Sequence, residues 1–115
     1  MKKILDIASY RFLPFQSGGQ KAIGQFVAYL GKECALTIIS VASNDASLAT
    51  SYRLLPWLPD KKSRYADWSL VKRVSDFVQS EKIETVIWEH PYYAWLAARV
   101  KKRTGVTTVI RTHNI

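Results

Sequence analysis

Gly18 and Gly19 have the residue type and position to bind an anionic ligand in this 115-residue chain. They lie between the first predicted strand and the first predicted helix. Glycine can adopt positive φ and lets a ligand approach the backbone closely, and the free amides and positive dipole end of a helix attract phosphate. The pair therefore predicts a phosphate contact or a structural turn. One glycine would suffice for the turn, so two favour the phosphate.

His90 and His113 are the only histidines, and each directly follows a predicted strand. Their imidazoles can hydrogen-bond a polar ligand near neutral pH. The alternative for each is a partly buried histidine bonded to backbone, and their placement at the same sheet edge as the glycines favours the ligand. Two histidines and the distant Cys34 do not supply the ligands of a metal ion, so no metal site is predicted.

Glu89 precedes His90 and allows two interpretations. The carboxylate could act as a base or orient His90, or it could simply stabilise the dipole of the helix that follows, which is the simpler account. Tyr92 and Tyr93 either face a sugar or pocket, where aromatic rings often stack, or pack in the core. Trp95 has the helical spacing of a core residue.

The elements that position these residues follow from apolar periodicity. Gly31 is predicted to close the first helix, and Pro56 and Pro59 to end a short strand over residues 52–55. Near-continuous apolar strands alternating with amphipathic helices indicate a doubly wound α/β fold, with a mostly parallel sheet and helices on both faces. Ligands of such sheets bind at the carboxyl ends of the strands. The other strands are predicted over residues 4–8, 36–41, 83–88 and 107–110.

The composition is basic, with 17 Lys and Arg against 9 Asp and Glu and a net charge of +8. Three of these cations, residues 101–103, lie before Gly105 at a predicted helix end, where they complement the dipole. A solvated face is therefore favoured over an anionic membrane or substrate, and nucleic acid is the least favoured partner. With one cysteine and no apolar stretch of about 20 residues, a cytoplasmic protein is expected.

Several catalytic patterns are missing from the chain. It has no dinucleotide fingerprint, no Walker lysine, no Ser-His-Asp order, no convincing carboxylate pair and no zinc motif. The residues by themselves indicate a binding surface rather than a complete active site. The chain is expected to be a single domain over residues 1–115 and the first part of something longer, because it stops just after its last predicted strand.

The order of four segments resembles the N-terminal half of GT-B glycosyltransferases, especially family 4. These segments are residues 4–9, the Ser-Gly-Gly turn within residues 14–20, Glu89-His90-Pro91 and Thr112-His113-Asn114. The resemblance implies a Rossmann-like domain that forms the acceptor side of a cleft. It also implies a C-terminal domain, absent from this sequence, that grips most of the nucleotide-sugar donor.

The resemblance also assigns roles. Gly18 and Gly19 would offer amides to the donor diphosphate, and His113 would be the catalytic residue near the transferred sugar. The acceptor or substrate cleft would be lined by His90, Glu89, Tyr92 and Asn114. Transfer would be retaining, without metal or other cofactor, from a nucleotide-sugar to a sugar or lipid-linked acceptor, as in cell-envelope polysaccharide or glycolipid synthesis. This chain alone would be inactive.

Membrane-proximal acceptors would explain the basic charge by peripheral contact with an anionic bilayer at the inner face of the membrane. The candidate residues for that contact are Lys61, Lys62, Arg64, Lys72 and Arg73, around Tyr65 and Trp68. The alternative to a transferase is a non-catalytic α/β module that binds a phosphate-bearing or regulatory ligand.

Overall fold

The computed structural model describes residues 1–14 and 16–112, and within them five strands alternate with three α-helices. His113 and Asn114 lie outside the described residues. The strands are β1 (Lys3–Ala8), β2 (Ala35–Val41), β3 (Arg53–Leu58), β4 (Thr85–Glu89) and β5 (Thr107–Arg111). The helices are α1 (Gly18–Glu33), α2 (Ser69–Ser80) and α3 (Ala94–Thr104). Short 3-10 turns cover Ala46–Leu48, Lys62–Ala66 and Pro91–Tyr93.

All five strands are parallel and lie in the order β3-β2-β1-β4-β5. The register pairs Ala8 of β1 with Glu89 of β4, and Glu89 with Arg111 of β5. The strand order reverses between β1 and β4, which makes the carboxyl ends of these two strands the switch point where open α/β sheets bind ligands. The predicted α/β fold and parallel sheet are confirmed.

Helices cover both faces of the sheet. Residues of α2 and α3 pack with one set of strand side chains, among them Leu5 and Trp88. Residues of α1 pack with the other set, among them Ala8 and Ile38. Because side chains alternate between the faces of a strand, the apolar runs of β1 and β2 supply both cores at once.

The prediction that Gly31 closes the first helix is wrong. Helix α1 continues to Glu33, and the Cys34 N–H bonds the Leu30 carbonyl. A Cβ on Gly31 would lie 2.5 Å from the carbonyl oxygen of Ser51, so the glycine permits close approach of a neighbouring segment instead of ending the helix. The predicted end at Gly105 is confirmed, since Gly105 caps α3 with a φ of 73°.

The predicted end of the third strand at Pro56 is also wrong, because β3 runs from Arg53 through Pro56 to Leu58, directly before Pro59. Proline cannot donate a ladder hydrogen bond and is confined to edges and irregularities. Strand β3 is the edge of the sheet, and its register with β2 shifts between Ile39 and Val41, so both conditions are met. Within the described residues, no helix is long and apolar enough to span a membrane.

Candidate functional site

The N-terminus of α1 faces the carboxyl edge of the sheet with unpaired donors. Ser17 caps the helix, accepting the Gln20 N–H with its side chain at 3.3 Å. The N–H groups of Gly18 and Gly19 have no hydrogen-bond partner within residues 1–14 and 16–112. The first turn contains no acidic residue. These amides and the helix dipole therefore offer positive potential to an anion.

The glycines do not use the conformational freedom that the sequence suggested. Neither Gly18 nor Gly19 has a positive φ. A Cβ on Gly18 would meet no atom within 4 Å, and one on Gly19 would lie 3.6 Å from the hydroxyl of Tyr10. The glycines are thus not required by backbone strain or crowding, and their effect is to leave the amides of the first turn uncovered.

His90 stands at the end of β4 in a strained backbone conformation. Its φ is 72° and its ψ is 160°, a region that essentially only glycine populates. The His90 N–H donates to the Arg111 carbonyl at 2.7 Å, which ties the residue to the neighbouring strand. Strain of this kind costs about 1–3 kcal/mol and persists where the surroundings enforce it, often at functional sites.

Tyr10 joins the two predicted parts of the site. Its hydroxyl oxygen lies 2.6 Å from Nε2 of His90, and the two rings stack at a tilt with centres 5.3 Å apart. Burial, and then the charge of Glu89, raises the pKa of Tyr10 to about 12, so the phenol keeps its proton near neutral pH. Because Tyr10 also borders Gly19, the helix start and the imidazole belong to one surface.

Glu89 is placed differently from both interpretations of the sequence. Its side chain is fully buried, and Nη1 of Arg111 lies 2.9 and 3.0 Å from its two carboxylate oxygens. The guanidinium of Arg111 also stacks 3.7 Å from the ring centre of Phe26. Glu89 therefore belongs to an internal ion pair between β4 and β5.

Asp6 completes a buried charge cluster with Glu89 and Arg111. It lies in the middle of β1, is wholly inaccessible, and neither carboxyl oxygen accepts a hydrogen bond from a donor group in the described part of the chain. Burial, followed by the hydrogen bond and the charge of Glu89, raises the pKa of Asp6 well above its usual range. A raised pKa favours the protonated form of Asp6, which leaves the Glu89 carboxylate to pair with Arg111.

The aromatic residues after His90 divide between surface and core. Tyr92 is 56% exposed and its ring lies 5.5 Å from that of His90. Tyr93 is buried and donates its hydroxyl proton to the Arg64 carbonyl at 2.7 Å. Trp95 is half-buried against the core, as its spacing predicted, and donates to the Tyr65 carbonyl at 3.0 Å. Of these residues, only Tyr92 is placed to meet a ligand beside His90.

One residue of the predicted basic cluster is used internally. Arg64 donates to the Ser9 and Lys61 carbonyls at 2.7 and 2.8 Å, whereas the other four cations are exposed and their membrane contact stays a prediction. A separate cleft of about 260 Å³ runs between α2 and α3. Exposed Trp68 lies 4.5 Å beneath the guanidinium of Arg99 there. The lining residues are Trp68, Val71, Arg99, Lys102 and Arg103.

The remaining predicted residues, His113 and Asn114, lie outside the described residues, so their roles stay predictions. Pairing of Glu89 with Arg111 does bring the end of β5 beside the end of β4. The described part of the chain contains no group of three or more His, Cys, Asp or Glu side chains that could hold a metal ion.

Neither the family models nor the curated proteins compared with the chain give a match. Among solved structures, the chain is similar to a UGT transferase from Siraitia grosvenorii in complex with UDP, with a TM-score of 0.58 and 14% identity. The match covers 96% of this chain and 24% of that one, so the chain spans about a quarter of the neighbour's length. This likeness shows a shared α/β, Rossmann-like fold. Membership of family 4 stays a prediction.

Sequence reasoning missed Tyr10, Asp6 and Arg111. An aspartate inside an otherwise apolar strand is a recognisable signal, because a buried carboxyl group needs a partner. The equal distance of Glu89 and Arg111 from the ends of their strands could also have suggested a cross-strand ion pair. Tyr10 carried no such signal, since its contact with His90 joins residues that are distant in sequence.

Proposed function

We propose that this chain is the acceptor-side domain of a glycosyltransferase that moves a sugar from a nucleotide-sugar to an acceptor. The observation that carries the proposal is the surface at the switch point, where uncovered amides of Gly18 and Gly19 lie next to the Tyr10–His90 pair. The shared fold with a transferase solved in complex with UDP supports it. A second domain outside this sequence would hold most of the donor.

In this proposal the amides of Gly18 and Gly19 meet the donor diphosphate. Charge developing on the departing diphosphate is stabilised by preorganised donors, which here are backbone amides at a helix start. His90 and Tyr92 line the acceptor side, and His113 contacts the transferred sugar. Retention of configuration and transfer without a metal ion are parts of the proposal that follow from the family resemblance.

The first test is a titration of the ¹⁵N-labelled chain with UDP, in which binding is measured from the amide chemical shifts. We expect weak binding, with the largest changes at Gly18 and Gly19, and no such changes with uridine, which lacks the phosphates. Gly18→Ala should stay folded, because its Cβ meets no atom within 4 Å. Its methyl group would hinder approach to the exposed amides and should weaken UDP binding roughly tenfold, about 1.4 kcal/mol. Equal effects of UDP and uridine would contradict the diphosphate assignment.

The second test is sugar transfer by the longer protein that contains this chain. His90→Ala and His113→Ala should each lower transfer while leaving the protein folded. A protein that binds UDP but shows no transfer with any acceptor tried would favour the non-catalytic phosphate-binding module. Undiminished transfer by His113→Ala would remove the catalytic role of that residue.

We further propose that the cleft between α2 and α3 contacts an anionic membrane surface, where the acceptor would reside. Exposed aromatic and basic side chains together suit a lipid interface, and each cation near such a surface contributes about 1 kcal/mol.

Anionic liposomes at low salt should retain the chain in a sedimentation assay. Lys102→Gln with Arg103→Gln should reduce retention, whereas Lys32→Gln, at the end of α1 on the other face of the sheet, should not. Absence of retention, or equal loss in the control, would refute this contact.

A further inference from the structure

The pair formed by Tyr10 and His90 stands apart from the other aromatic contacts. Ring contacts are numerous among the described residues, and this one also carries a side-chain hydrogen bond, with 2.6 Å between the Tyr10 hydroxyl and Nε2. Both residues follow strands that meet at the switch point. The His90 N–H donates to the Arg111 carbonyl, which restrains the backbone of His90. The Tyr10 hydroxyl therefore acts on the orientation of the imidazole ring.

We propose that Tyr10 is a positioning residue that fixes the tautomer and ring orientation of His90 in the candidate acceptor site. In this proposal the phenol donates, because a phenolic O–H is a stronger donor than acceptor and an unprotonated imidazole nitrogen is a strong acceptor. Nε2 therefore accepts, and the proton of neutral His90 resides on Nδ1.

The same hydroxyl borders the helix start. It lies 3.6 Å from the position that a Cβ on Gly19 would occupy, so Tyr10 spans from the amides proposed for the diphosphate to the imidazole proposed for the acceptor. A group at this point sets the distance between the two parts of the site. The functional side of this inference rests on the proposed transferase activity, whereas the tautomer assignment does not.

The direct test is ¹⁵N NMR of the imidazole nitrogens of the chain at a pH where His90 is neutral. His113→Asn removes the second histidine and assigns the signals. We expect the Nδ1–H tautomer of His90 to dominate in the parent chain. In Tyr10→Phe, which keeps the ring and loses the hydroxyl, the population should move toward the Nε2–H tautomer that free histidine prefers.

Tyr92→Phe is the matched control, because its ring also lies against His90 at 5.5 Å but its hydroxyl is not the one bonded to Nε2. This variant should leave the tautomer unchanged. An unchanged tautomer in Tyr10→Phe, or an equal change in Tyr92→Phe, would overturn the proposal. Amide spectra that superimpose on the parent away from the site will show that each variant is folded.

In the longer protein, Tyr10→Phe should lower kcat by roughly 10–100-fold with a smaller change in KM for the donor, since misplacement of a positioned group acts on the reacting geometry. A tautomer shift without loss of transfer would restrict Tyr10 to a structural role and overturn its functional assignment. A tautomer shift in a protein whose parent form transfers no sugar would leave the pair intact and refute the proposed function instead.

Discussion

The backbone of His90 gives the sharpest prediction, because glycine should be more stabilising than alanine at this position, the reverse of their usual order. With a φ of 72° and a ψ of 160°, the residue occupies a region that disfavours any Cβ. His90→Ala and His90→Gly lose the same imidazole and its contacts, and they differ only in the Cβ. The comparison therefore isolates backbone strain.

The strain at such a position is about 1–3 kcal/mol, so His90→Gly should be more stable than His90→Ala by that amount. The unfolded chain gains entropy from glycine, which lowers the difference by up to about 1 kcal/mol. A net advantage near 1–2 kcal/mol corresponds to a Tm roughly 4–8 °C higher for a domain of this size. Both variants should bind ligand equally poorly at the acceptor side.

The assay is urea unfolding followed by circular dichroism, with Tm as a second measure. Ala22→Gly supplies the control, because Ala22 is exposed within α1. Glycine in a helix interior is less stable than alanine by about 0.5–1 kcal/mol, so the control should show the opposite sign. If His90→Ala equals or exceeds His90→Gly in stability, the strain assigned to this position is wrong.

Three further predictions concern stability of the chain. Arg111→Met should destabilise by about 3–5 kcal/mol in chemical unfolding, because Glu89 stays buried without the guanidinium; a loss below 1 kcal/mol would refute the ion pair's role. Because the pKa of Asp6 is raised in the folded protein, the stability that Asp6 contributes is fully present below pH 3.8 and is lost as the pH rises through the folded-state pKa. Asp6→Asn should therefore gain Tm relative to the parent between pH 4 and pH 9, and a constant difference would contradict this. Gly31→Ala should cost about 1–3 kcal/mol, since its Cβ would lie 2.5 Å from the Ser51 carbonyl, and a neutral result would show that this segment yields easily.

Apolar periodicity was sufficient to predict the order of strands and helices along the chain and the carboxyl edge of a parallel sheet as the place for a ligand. Each of these depends on local sequence: buried parallel strands need continuous apolar runs, and a helix beside a sheet needs one apolar stripe. The end of α3 was predictable for the same reason, because a glycine after a basic turn is a local signal.

The errors arise where a distant segment decides the local structure. Gly31 resembles a helix end until Ser51 is seen against it, and Pro56 resembles a strand end until β3 is known to be an edge. The positive φ of His90 is equally invisible in sequence, because nothing in its neighbours demands it. These features depend on packing between elements, which spacing along the chain does not encode.

The buried ion pair and the strained backbone of His90 are linked, because Arg111 contacts both. Arg111 pairs with Glu89 through its side chain and accepts the His90 N–H through its carbonyl, so the end of β5 restrains the last residue of β4 and the residue that follows it. Apolar side chains in place of the ion pair could fill the same volume, but they would not fix the alignment of β4 with β5 as specifically. Loss of the ion pair should therefore release the His90 backbone as well as destabilise the fold, whereas Tyr10→Phe should disturb the imidazole and leave stability nearly intact. Arg111→Met should lower both the free energy of unfolding and the preference of His90 for one tautomer, whereas Tyr10→Phe should change the tautomer alone. That difference would show that the ion pair maintains the structure of the site and the Tyr10 hydroxyl maintains the state of the imidazole.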